Sequence, residues 1–157
     1  MLLPLTDTEL VRRLILAALL GAAFGLEREI RQKSAGLRTN ILIAVGAAVF
    51  TLMSIEMAAS TPAADPARIA AQIVTGIGFL GAGAIMRTRV GVQGLTTAAT
   101  VWVNAAVGVA VGAGQYHLAL IATAVTIVVL LVIAPIEWAA ERRFLRRRDG
   151  NGGPTAS

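Results

Sequence analysis

Chemistry needs reactive groups within reach of one another, and this chain offers few. It has one histidine, His117, and no cysteine, which excludes a His-ligated metal centre, a thiolate metal site, a cysteine nucleophile and a disulfide framework. Gly76-Ile-Gly78-Phe-Leu-Gly81 matches the dinucleotide fingerprint letter for letter. That fingerprint works only between a strand and a helix, with an acidic residue about 20 positions further on. After Asp65 the next acidic residue is Glu137, and the glycines sit inside an apolar stretch. No carboxylate pair, Ser/His arrangement or phosphate loop stands out. A non-enzymatic protein without a cofactor is expected.

The remaining polar candidates fall into three groups. Glu27-Arg28-Glu29, followed by Gly36-Leu37-Arg38-Thr39, puts opposite charges on both sides of a short turn. It reads as a salt-bridge cluster fixing how two helices meet, or with Glu27 as an entrance carboxylate for a cation, against which Arg28 and Arg38 would compete. Asp65, Arg68 and Gln72 open a later apolar segment, with Asp65 as an N-cap and capping partner of Arg68. Gln72 enters the apolar region and needs a partner there, and Thr96, Thr97, Thr100 and Asn104 are the available groups. These residues are either interhelical glue or the lining of a solute path.

Gly76, Gly78, Gly81 and Gly83 fall within eight residues, although each costs a helix interior about 1 kcal/mol relative to Ala. Close packing of helix backbones is one explanation. An unwound helix exposing carbonyls to a cation is the other. Gly21/Gly25 and Gly108/Gly112 are i, i+4 pairs suited to packing.

The elements that position these groups follow from composition. With 56% hydrophobic and 15% charged residues, the chain is greasier than a soluble domain, where the figures are about 45–50% and about 25%. It reads as an all-α, polytopic membrane protein. Apolar runs predict five spans: Leu10 to Leu26, Thr39 to Ala58, Ala67 to Met86, Leu95 to Val111 and Tyr116 to Trp138. The first has a signal peptide as its rival reading. Ser60 to Pro66 reads as a loop, with Pro66 in the first turn of the third helix, and Arg87 to Gly94 as a short polar turn. Pro135 should kink or end the fifth helix, with Trp138 as an interfacial anchor. Residues 1–140 form the transmembrane domain, and 141–157 a basic, disordered tail.

Eleven of the 14 Lys and Arg residues fall on the side of the first and third connections and the tail, and Arg12, Arg13 and Arg68 on the other. The positive-inside rule then places the N-terminus outside and the C-terminus in the cytoplasm. The net charge of +5 sets orientation and attracts anionic lipid. The lipid bilayer is the expected partner, together with further copies of the chain through its Gly/Ala faces and a larger membrane protein. Nucleic acid is not.

Three blocks in order, GLEREIRQKSAGLRTN, DPARIAAQIVTGIGFLGAGAIMR and GLTTAATVWVNAAVGVAVGAG, resemble the MgtC/SapB family of bacterial inner-membrane proteins over roughly Gly21 to Gly114. The resemblance implies five transmembrane helices, a plasma-membrane location, a link to magnesium homeostasis and, in pathogens, survival inside macrophages. For MgtC itself it implies regulation of the ATP synthase. MgtC-type members continue into a soluble domain, whereas this chain stops about twenty residues beyond Trp138, closer to the short SapB-like form. On the matching positions, Glu27, Arg38, Asp65, Arg68, Gln72, Thr96 and Thr97 are the polar candidates. Two functions are expected: regulation of a membrane partner, or transport of an ion or solute such as Mg2+.

Overall fold

The computed structural model describes residues 5–59, 65, 67–89 and 91–150, with side chains described as far as residue 133. Five helices carry the fold: α1 (Asp7–Ile30), α2 (Leu37–Ala59), α3 (Arg68–Ala84), α4 (Leu95–Gly112) and α5 (Tyr116–Gly150). Between α3 and α4, where a simple turn was expected, lies a small antiparallel hairpin of β1 (Met86–Thr88) and β2 (Gly91–Gln93), with Arg87 opposite Val92. Gly94 closes it at φ 88, and a Cβ there would lie 1.9 Å from the Ala84 carbonyl. Only glycine fits that approach.

Small residues at helical spacing decide the packing. In α1 the buried positions Ala17, Leu20, Gly21, Phe24, Gly25 and Arg28 recur at three- and four-residue steps, which line one helix face. A Cβ on Gly21 would lie 2.7 Å from the Asn40 carbonyl, and one on Gly25 2.6 Å from Leu37 Cα. Helix α4 approaches α2 just as closely: Cβ atoms on Gly108 and Gly112 would lie 2.4 and 2.7 Å from the Ala44 and Ala48 carbonyls. Without side chains at these points the backbones touch, and dispersion contacts accumulate where lipid supplies no hydrophobic drive. Helices α2 and α4 thereby form the centre, with α1, α3 and α5 around them.

The glycines of α3 behave differently. The helix is continuous from Arg68 to Ala84, so it is not unwound. Cβ atoms on Gly76, Gly78 or Gly83 would meet nothing within 4 Å, and one on Gly81 would make an ordinary 3.8 Å contact with Ala98. Close packing inside the protomer therefore explains Gly108 and Gly112 and not the α3 cluster. Only Ile77 of α3 is buried, and Gly76, Gly78 and Gly83 are exposed.

Helix ends are formed by local hydrogen bonds. Thr6 caps α1 by accepting from Glu9 N. Both α1 and α4 end with paired reverse bonds, Lys33 N to Arg28 O with Gln32 N to Glu29 O, and Gln115 N to Ala110 O with Gly114 N to Val111 O. This closure needs a left-handed residue, supplied by Gly114 at φ 79 and by Gln32 at φ 53. Helix α5 runs through Pro135 to Gly150, so it does not end at the proline, and the first part of the basic segment is helical rather than disordered. Pro66, most of the Ser60–Pro66 segment, the Trp138 side chain and residues 151–157 lie outside the described residues.

Candidate functional site

The α1–α2 connection gathers the first charged cluster. Glu27 and Arg28, at 7% and 2% exposure, are drawn inward because they continue the buried stripe of α1. Arg28 Nε donates to Glu27 Oε2, and Arg31 Nε stands 2.7 Å from Glu27 Oε1. That ion pair is not aligned as a hydrogen bond, and Glu27 Oε1 and Arg28 Nη1 are both buried without a hydrogen-bond partner. Arg38, expected beside Glu27, is exposed. Glu29 instead accepts from Leu37 N at 2.9 Å and caps α2. A Cβ on Gly36 would lie 2.0 Å from that carboxylate.

Thr96 and Thr97, in the first turn of α4, face the same end of the molecule. Together with Arg28, Arg31, Lys33 and the α5 side chains Leu130 and Ile133, they line a cavity of about 630 Å3. Arg28, Arg31 and the α4 threonines therefore line one cavity. This was not apparent in the sequence, where about 70 positions separate them.

Asn104 lies halfway along α4, fully buried. Its amide nitrogen donates to Asn40 O at 2.7 Å and to Asn40 Oδ1 at 3.1 Å, while Asn40 Nδ2 donates to Ala35 O and Gly36 O. Thr100 donates to its own helix at Thr96 O. Asn104 Oδ1 has no partner.

The third group sits at the opposite end of the molecule, where α2 finishes and α3 begins. Asp65 and Arg68 are exposed. Ala67 is the N-cap of α3, so Asp65 is not; its carboxylate accepts from Ala67 N at 2.8 Å. Ser54 of α2 reaches across to accept from Ile69 N, and no Asp65–Arg68 ion pair forms among the described residues. Gln72 does not meet the α4 polar groups. Gln72 instead lies at an open apolar groove of about 590 Å3 between α2 and α3, which Ile73 and Ile77 also line and to which α2 contributes Leu42, Ile43 and Phe50.

A further network joins the ends of α1, α4 and α5. Arg13 Nε donates to Glu9 Oε1 at 2.9 Å and its Nη1 to Gly112 O at 2.7 Å, closing the carbonyl end of α4. The Tyr116 hydroxyl donates to the same Glu9 oxygen. That bond, with the one from Arg13, holds the Glu9 carboxyl below its ordinary value. Glu9 and Arg13 stand at helical i, i+4 spacing, a legible signal. Nothing in the sequence pairs them with Tyr116, 103 positions beyond Arg13.

The family model described as MgtC family matches residues 14–139, nearly the whole described bundle. The chain belongs to the MgtC family. It is 52% identical over 132 residues to Protein MgtC of Salmonella typhimurium (strain LT2), covering 84% of this chain and 54% of that protein. With Protein MgtC of Salmonella typhi it shares 47% over 144 residues, 86% of this chain and 61% of the relative. With YhiD of Escherichia coli (strain K12), named as a candidate magnesium transporter, it shares 46% over 129 residues, 79% and 60% of the two chains. The chain thus spans a little over half the length of the relatives it matches. No solved structure matches it. Among the described residues α2, α4 and α5 as far as Ile133 are long and apolar enough to cross a membrane, and α3 is a shorter apolar helix. Family and apolar helices together make this a membrane protein.

Proposed function

We propose that the protein is a non-enzymatic, multi-pass component of the bacterial inner membrane that serves magnesium homeostasis by associating with other membrane proteins rather than by conducting the ion. The observation carrying the reading is the Asn104–Asn40 pair. The most deeply placed polar side chains of α4 are spent on α2 and on their own helix, as interhelical glue is, instead of lining a path. All five helices cross the bilayer, with the N-terminus outside. At about 1.5 Å per residue, the 17 residues of α3 reach about 25 Å, short of the roughly 30 Å hydrocarbon core, so that helix thins the bilayer or is shielded by a neighbour. Gly78, turned away from the α2 groove that Gly76 lines, offers a close backbone approach to a second copy of the chain.

The name of the Escherichia coli relative favours a second reading, transport of magnesium. Reconstitution separates the two. Proteoliposomes under a magnesium gradient should show no flux above protein-free vesicles, while crosslinking in native membranes should capture a second copy through α3. Flux abolished by Gln72→Leu in a variant that still folds would establish transport instead.

A further inference from the structure

The cavity at the basic end has the composition of an anion site. Arg28, Arg31 and Lys33 bring three cations to its wall, against the single carboxylate of Glu27 that pairs with two of them. Glu29, the other nearby carboxylate, is engaged at Leu37 N. Arg28 is 2% exposed, and its Nη1 has no hydrogen-bond partner. A buried guanidinium nitrogen left without an acceptor is costly, and the Arg28 side chain that carries it lines a cavity with room for one.

The start of α4 lies on the same wall. Gly94, its N-cap, has no side chain to cap the first turn, so the leading N–H groups and the positive end of the helix dipole are open to an acceptor. Thr97, buried at 4% exposure, adds a hydroxyl in that turn. The left-handed turn at Gln32, φ 53, brings Lys33 back to bond Arg28 O and so holds the cations together. Opposite them Val129, Leu130 and Ile133 of α5 form an apolar wall, and Val129 and Ile133 are also exposed on the outer face of that helix. A cationic pocket with an apolar flank, about 630 Å3 in volume, lies within the roughly 300–1,000 Å3 of small-molecule sites.

We propose that this cavity binds a phosphate-class oxyanion, with Arg28, Arg31, Lys33 and the first turn of α4 holding its oxygens. Two sources share that chemistry: the phosphodiester of an anionic lipid, its chains lying along α5, and free inorganic phosphate. Planar guanidinium donors and helix N–H groups suit both.

The test uses the full chain in phosphatidylcholine nanodiscs, following thermal unfolding at constant ionic strength in two arms. One titrates inorganic phosphate against chloride, and the other raises the phosphatidylglycerol fraction. A saturable rise in Tm is expected in at least one arm, and the arm that responds names the source. Arg28→Gln removes the buried donor but risks the fold, so Arg31→Gln, Lys33→Gln and Thr97→Val are measured beside it. Each should raise the half-saturation point roughly tenfold, as losing one charge-assisted contact would for the two basic residues. Arg12→Gln removes the same charge at the opposite end and should leave it unchanged. No saturable shift in either arm, or the same shift in Lys33→Gln and Arg31→Gln as in Arg12→Gln, overturns the proposal.

Discussion

Asn104 donates its side-chain amide to the backbone carbonyl of Asn40, 2.7 Å away between the two central helices. The bond forms where Gly108, one turn on, lets α4 lie directly against α2. Close approach and polar pairing are thus one arrangement: without the small residues Asn104 would not reach, and without the pair a buried amide would face lipid or apolar side chains.

Asn104→Leu should therefore weaken the α2–α4 contact without touching an exposed surface. A loss of about 0.6–2 kcal/mol is expected, the range of interhelical hydrogen bonds in lipid, read by chemical or thermal unfolding in detergent. Any activity should fall only in proportion to folded protein. A normal stability with lost activity would instead make Asn104 a functional residue.

Glycine substitutions should divide by location. Gly108→Ala drives a Cβ to 2.4 Å from the Ala44 carbonyl, and overpacking of this kind costs about 1–3 kcal/mol. Gly78→Ala meets nothing inside the protomer and improves helix propensity by up to about 1 kcal/mol, so its unfolding temperature in detergent should be unchanged or higher. Gly78→Leu should keep the fold and reduce crosslinking between copies in membranes. Equal destabilisation by Gly108→Ala and Gly78→Ala would remove this division.

Periodicity and turn residues made five helices legible, because each has a long apolar run bounded by charge, proline or glycine. Partners were legible only where they were local. Asp65 stands just ahead of α3, yet the helix begins later, at the Ala67 cap, so the expected ion pair with Arg68 does not form. Gln72 looked like a neighbour of Asn104 because both lie in apolar segments, but a single residue step around a helix is about 100°. Gln72 is exposed at the α2–α3 groove, and only Ile77 of α3 is buried. Dense glycine marked α3 as a packing helix in one chain, whereas its approach is open to the outside. Local spacing does not say which face meets which neighbour.

The Glu9 carboxyl is held below its ordinary value near 4.5 by the Tyr116 hydroxyl and then by Arg13. A carboxylate whose folded pKa is depressed stabilises fully above the unfolded value and loses that contribution as pH falls through the folded one. Unfolding temperature should thus decline on acidification below about pH 4.5, and Glu9→Gln should flatten that part of the profile. Tyr116→Phe removes the main hydrogen bond and should shift the decline to higher pH. An unchanged profile in Tyr116→Phe would show that the hydroxyl does not hold the carboxylate charged.

Orientation follows from the division of basic residues. Eleven lie on the side of the α1–α2 turn, the hairpin and the C-terminal segment, and three on the other. Lys and Arg near span ends are retained in the cytoplasm during insertion, so a reporter after Ser157 should be cytoplasmic and one before Asp7 external. Helices α1 and α3 are the demanding cases, because α1 carries seven charged residues and α3 is only 17 long. If either failed to cross, the two termini would share a side. Reporters at both ends, with a third in the hairpin at Arg89, therefore fix the direction and whether an odd or even number of spans lies on each side of the hairpin. A cytoplasmic N-terminal reporter beside a cytoplasmic C-terminal one would reduce the count to four or two spans, and Tyr116, at the outer start of α5, would then no longer share a side with the N-terminus.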